Sequence, residues 1–99
     1  MSTPTNILVV DVECTCWDNL PPNKFPETRN EIIEIGLAVI NIKKEELVES
    51  RSIIVVPPTT EISEFCTQLT TLTPELVQAI GIPFADAMNI LDKEYRAER

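Results

Sequence analysis

The sequence predicts a small α/β domain in which three mainly antiparallel strands are followed by short helices. Three observations predict it. Ile7–Val10 is an unbroken aliphatic run, and two further apolar stretches, Glu31–Ile42 and Leu47–Val56, flank a charged tip. Beyond Pro57-Pro58 the spacing of apolar residues changes from that of a strand to that of a helix. With 99 residues, 43% of them hydrophobic and 24% charged, the chain is one domain, residues 1–99. A domain this small must commit nearly all its apolar side chains to the core.

The first strand, Ile7–Val10, runs into Asp11-Val12-Glu13. A continuous β-branched run of this kind predicts a strand buried on both faces, with acids at its C-terminal end. Trp17–Asn30 carries Pro21, Pro22 and Pro26 among asparagines, so it cannot join a sheet ladder and is expected to be a surface loop. Glu31–Ile42, the tip Lys43-Lys44-Glu45-Glu46 and Leu47–Val56 together predict a long antiparallel hairpin. Its second strand mixes charged and small residues before turning apolar at Ile53–Val56, as an edge strand does. Ser63–Leu69 predicts a short helix with Phe65 and Leu69 at i, i+4. Thr73-Pro74-Glu75 is a helix start, a hydroxyl cap followed by proline in the first turn, and Gly81 ends that helix near Ile80. Pro83 opens a third helix in which Phe84, Ala87, Met88, Leu91 and Tyr95 share one stripe. Nothing after Tyr95 caps that helix or leads to a further strand, so the chain is expected to be the front portion of a larger α/β domain.

Composition narrows the chemistry. Eight lysines and arginines against sixteen aspartates and glutamates give a net charge of −8, which disfavours a broad basic groove for phosphate backbones. The longest apolar stretch, Ile35–Ile40, falls far short of the roughly 20 residues that cross a bilayer. No basic segment followed by an apolar one marks a secretory signal, so the expected compartment is cytoplasmic and no membrane partner is expected. Cys14, Cys16 and Cys66 lack zinc-ligand spacing and are expected to be reduced, packed thiols. The chain has no histidine. Within these residues that excludes a Ser-His-Asp triad, a His-ligated metal and an imidazole base, and any catalysis must rest on carboxylates.

The pair that suits such chemistry is Asp11 and Glu13. In an extended strand residues i and i+2 point to the same side, which places these carboxylates together, roughly 6 to 7 Å apart at the backbone. Two like charges at a strand end are costly unless a hard cation such as Mg²⁺ or Mn²⁺ neutralises them, and such ions take oxygen ligands.

Asp11-Val12-Glu13-Cys14-Thr15-Cys16-Trp17, the Pro-rich loop, Glu31-Ile32-Ile33-Glu34-Ile35-Gly36 and Phe65–Thr73 occur in the order and spacing of the DEDDh 3′–5′ exonucleases. The chain resembles that family along nearly its whole length, and its ERI-like branch most. The family belongs to the ribonuclease T and polymerase III proofreading-subunit superfamily, so the resemblance implies a ribonuclease H-like fold. It also implies two Mg²⁺ or Mn²⁺ ions in the complete site, and single-stranded nucleic acid 3′ ends, RNA before DNA, as substrate. On matching positions, Asp11 would bridge both ions, while Glu13 would bind one and contact the terminal 3′-hydroxyl. The Cys14 amide would hold the same hydroxyl, Thr15 would line that pocket and Leu72 would pack against the terminal base. Thr71 stands where the family has glycine.

The family's second-motif aspartate, its histidine base and its final aspartate have no counterpart in these 99 residues. The expectation is a truncated chain with little activity alone. Two alternatives stand beside the exonuclease. Asp11-Val12-Glu13-Cys14-Thr15 also resembles the Asp-x-Asp-x-Thr of haloacid-dehalogenase-like phosphatases, with Asp11 as nucleophile, although Glu13 departs from it. An exposed sheet edge would instead suit a non-catalytic interaction module that binds by strand addition.

Overall fold

The computed structural model of the chain describes residues 5–17 and 30–96. Three strands, β1 (Asn6–Cys14), β2 (Ile32–Asn41) and β3 (Glu46–Ile54), form one sheet in the order β1-β2-β3. Both pairings are antiparallel. The hairpin between β2 and β3 turns where predicted, and Asn41 sets the turn. Its side-chain Oδ1 accepts the Lys43 and Lys44 amides at 3.1 and 3.0 Å, and Glu45 takes a left-handed conformation, φ 53°, to close it.

A bulge interrupts the β1–β2 ladder, and the residues that β2 buries on one face feed two core clusters. Glu13 pairs with Glu34 but Cys14 pairs with Ile32, so Ile33 is an extra residue on β2. Ile33 then packs with Ile54, Cys66, Leu72 and Val77, while Ile35 and Leu37 pack with Ile53, Val55 and Ala87. The first cluster lies under α1 (Glu64–Thr70) and α2 (Pro74–Ile80), the second under α3 (Phe84–Tyr95).

Each helix begins on the residue that the sequence marks, or next to it. Ser63 caps α1, its Oγ accepting the Cys66 amide at 3.0 Å, and Thr73 caps α2, its Oγ1 accepting the Leu76 amide at 3.1 Å. Gly81 closes α2 for a reason of space. A Cβ there would stand 2.4 Å from the Val77 carbonyl oxygen and 2.7 Å from Val56 Cγ2. The next residue, Ile82, pairs in parallel with Val55, and the Val56 amide donates to its carbonyl at 2.9 Å. The far end of α3 meets β3 through Arg51 and Glu94, 3.1 Å apart.

Two expectations change. β1 is not buried on both faces: it is an edge strand, and Ile7, Val9, Val10 and Val12 are all 43–47% exposed, because among the described residues only β2 pairs with it. α1, seven residues long, buries Cys66 and leaves Leu69 exposed. Phe84 stands at the first position of α3, outside the Ile35 cluster, and is exposed, whereas Ala87 is fully buried and Met88, Leu91 and Tyr95 pack against that cluster. Apart from Trp17 and Asn30, the loop predicted over 17–30 lies outside the described residues, Phe25 included.

Candidate active site

The carboxylate pair is carried by the last residues of β1 before the bulge. Asp11 pairs across the sheet with Gly36 and Glu13 with Glu34, so the two acids occupy one face of the strand, and both are exposed. Gly36 leaves open space opposite Asp11. An added Cβ would make only an ordinary 3.6 Å contact with the Asp11 carbonyl, so neither crowding nor backbone conformation demands glycine there.

Glu34 faces Glu13 directly, an arrangement of like charges that costs stability. The Ser52 hydroxyl donates to the Glu34 carboxylate and engages it on the side of β3. Among the described residues no group of three or more His, Cys, Asp or Glu side chains comes together as a metal cage. Two exposed carboxylates nevertheless fit Mg²⁺ or Mn²⁺. Mg²⁺ keeps several waters and is commonly bound by one or two carboxylates together with substrate phosphate.

Beyond Glu13 the chain turns inward. Cys14 is half-buried, and burial, then the Glu13 charge and Cys66, push its thiol up. Burial and a hydrogen bond with Cys66 push Cys16 up to about 11. Cys66 is fully buried, its Sγ donating to the Cys14 carbonyl at 3.6 Å. All three are free thiols. Protonated and packed, they suit the role of small core residues. Burial is the larger cause for Cys14 and Cys16, and the neighbouring carboxylate the lesser one.

Thr15 and Leu72, to which the resemblance gives a place in the substrate pocket, are both buried. Thr15 is fully buried, and its hydroxyl accepts the Glu31 amide at 2.9 Å, so its side chain is spent inside the chain. Leu72 is 5% exposed and packs with Ile33, Ile54, Cys66 and Val77, as a core residue at the end of α1. Just before it, Thr71 takes the left-handed conformation at φ 65°, ψ 6°. The turn that favours glycine is therefore made here by a β-branched residue, at a cost in strain.

The structure also joins Glu31, the first residue of the second matching segment, to residues that no motif marks. Glu31 Oε1 accepts the Thr59 amide at 3.1 Å, the Thr60 amide at 2.7 Å and the Thr60 hydroxyl at 2.6 Å. Partial burial pushes the Glu31 carboxyl up, but these hydrogen bonds outweigh it and hold the group below the usual glutamate range. No catalytic role is assigned to Glu31 by the family resemblance, and Thr60 lies outside every matching segment. The two are separated by nearly the whole hairpin.

A sheet built wholly from antiparallel neighbours does not suit the phosphatase alternative, in which strands alternate with helices. The family model described as Exonuclease, of the RNase T type, matches residues 8–91. The chain is 29% identical over 93 residues to the 3′-5′ exonuclease Snipper of Drosophila melanogaster, covering 93% of this chain and 32% of Snipper. Among solved structures, a 3′-exonuclease described in 3′-end specific recognition of a histone mRNA stem-loop superposes with a TM-score of 0.80 at 26% identity. That match covers 99% of this chain and 42% of the other. The nuclease domain of 3′hExo, a DEDDh family member bound to rAMP, gives 0.79 at 26% identity, over 95% of this chain and 45% of that one. The chain thus spans less than half the length of each of these relatives. Its match to the family model over residues 8–91, together with the shared ribonuclease H-like architecture, shows that the chain belongs to the RNase T exonuclease family, in its DEDDh branch.

Proposed function

We propose that these residues form the front of a metal-dependent 3′–5′ exonuclease site that acts on single-stranded nucleic acid 3′ ends, RNA in preference to DNA. The observation that carries it is the placement of Asp11 and Glu13 on one face of β1 in a chain of the exonuclease family. When bound, Mg²⁺ or Mn²⁺ would supply activation of a water and stabilisation of the leaving alkoxide. Asp11 and Glu13 would hold these ions. Their charge, balanced by the cations, then favours the scissile phosphate despite the chain's acidity. Glu13 and the Cys14 amide orient the terminal 3′-hydroxyl. Leu72, 5% exposed, would offer only its exposed margin to the terminal base, and Thr15, whose amide, carbonyl and hydroxyl are all bonded within the chain, would support the pocket from behind. The preference for RNA is supported by the neighbours described with an mRNA stem-loop and with rAMP, and it would be read through the 2′-hydroxyl.

No histidine occurs in the 99 residues. Within them no imidazole is available to take the water's proton, so the 99 residues by themselves are expected to bind cation without appreciable turnover. The test uses the whole natural polypeptide on oligonucleotides ending in a 3′-hydroxyl or a 3′-phosphate, with Mg²⁺ or with chelator. Stepwise shortening is expected only with a free 3′-hydroxyl and Mg²⁺, and Asp11→Asn is expected to reduce it to background. Shortening indifferent to the 3′ group, the metal and Asp11 overturns the proposal. Absence of shortening under every condition would favour the interaction module.

A further inference from the structure

Immediately downstream of the carboxylate pair lies a buried hydroxyl side chain with several hydrogen-bond partners. Thr15 is the one fully buried polar side chain among the described residues. It is bound on every side. Its amide donates to the Glu31 carbonyl at 2.8 Å, its carbonyl accepts from the Asn30 side chain, and its Oγ1 accepts the Glu31 amide and lies 3.1 Å from Thr60 Oγ1. The single Thr60 hydroxyl proton goes to the Glu31 carboxylate at 2.6 Å, so the Thr15 proton fills the contact between the two hydroxyls. The chain Thr15–Thr60–Glu31 therefore ends on a charge, which makes its last bond the strong one.

The members come from three places: the exit of β1, the entry to β2 and the connection after β3. A second tie lies close by, where Ser63 Oγ donates to the Cys16 carbonyl at 2.6 Å while capping α1. The body of β1 has little apolar cover, so this network is what fixes the backbone that follows Glu13.

We infer that Glu31 is a positioning residue: through Thr60 and Thr15 it holds the β1 exit so that Asp11, Glu13 and the Cys14 amide keep the geometry that a divalent cation and a 3′-terminal sugar require. This rests on the exonuclease function proposed above. The Glu31 carboxylate is bonded to Thr59 and Thr60, and its reach to the β1 exit runs through Thr60 and Thr15.

The test is a Mn²⁺ titration of the ¹⁵N-labelled chain, following amide broadening at Asp11 and Glu13 and amide positions at Cys14–Cys16. Glu31→Gln and Thr60→Val are each expected to shift the Cys14–Cys16 amides and to weaken Mn²⁺ about tenfold or more, as loss of groups behind metal ligands does. The Ile35 and Leu37 amides are expected to stay in place. Thr60→Ser, which keeps the hydroxyl, is expected to bind like the unsubstituted chain, and Thr60→Val carries the test if Glu31→Gln does not fold. Unchanged Mn²⁺ affinity in the folded variants, with normal binding by the unsubstituted chain, overturns the positioning role alone. No broadening at Asp11 and Glu13 in the unsubstituted chain overturns the exonuclease function, and the inference with it.

Discussion

β1 and β2 lie side by side and are similarly rich in aliphatic residues, yet they are held in different ways. β2 is central: Ile33, Ile35 and Leu37 are buried between β1 and β3 under the helices. β1 has one neighbour and keeps Ile7, Val9, Val10 and Val12 well exposed. What fixes β1 in place is its antiparallel ladder to β2 and the polar network at its exit. The carboxylate pair thus sits where apolar packing runs out and hydrogen bonding takes over. Exposure leaves Asp11 and Glu13 accessible, and precision has to come from the residues just beyond them.

The largest effect that would test this contrast is in the core. Ile35→Ala is expected to cost about 2 to 5 kcal/mol in denaturant unfolding, as removal of a buried isoleucine does, whereas Val10→Ala on the opposite strand is expected to cost under about 1 kcal/mol, little apolar area being lost there. Equal losses would break the comparison.

The next effect sharpens it at the β1 exit. The folded Glu31 carboxyl lies below its unfolded value. It therefore contributes stability at pH above the usual glutamate range and loses it as pH falls through the folded value. Thermal melts from neutral to acid pH are expected to fall less steeply for Glu31→Gln than for the unsubstituted chain, and parallel curves would remove the carboxylate from the network's energetics.

A smaller, stabilising effect is expected at Thr71. Its left-handed conformation suits glycine better, so Thr71→Gly should raise stability by about 1 kcal/mol, less the entropy that glycine adds to the unfolded chain. The smallest effect is at the surface. Arg51→Ala, which removes the exposed pair with Glu94, is expected to leave the melting temperature unchanged within error, since exposed pairs contribute little.

Much of this architecture was legible because local chemistry dictates it. The caps at Ser63 and Thr73, Pro74 in the first turn and Gly81 after α2 all act within a few residues, so their meaning survives in a linear sequence. The Asp11–Glu13 pair was legible for the same reason, since strand alternation alone puts both on one face. The exposure of β1 was not. Its aliphatic run reads as an interior strand, and only the strand order shows that among the described residues β2 alone pairs with it. Nor could the run Glu31-Ile32-Ile33-Glu34 announce that Ile33 is a bulge residue, because the register shift arises from pairing with Cys14 and Glu13.

The sequence by itself therefore determined the α/β class, the hairpin, the helix boundaries and the two acids, because each follows from contacts between near neighbours or from strand periodicity. Tertiary structure alone decided that Thr15 is buried, that Leu72 belongs to a core cluster, and that Glu31 gathers Thr59 and Thr60 from 28 and 29 residues away. Hydrogen bonds of that reach depend on how the sheet and its connections are brought together in space, and no local pattern of residue types records it.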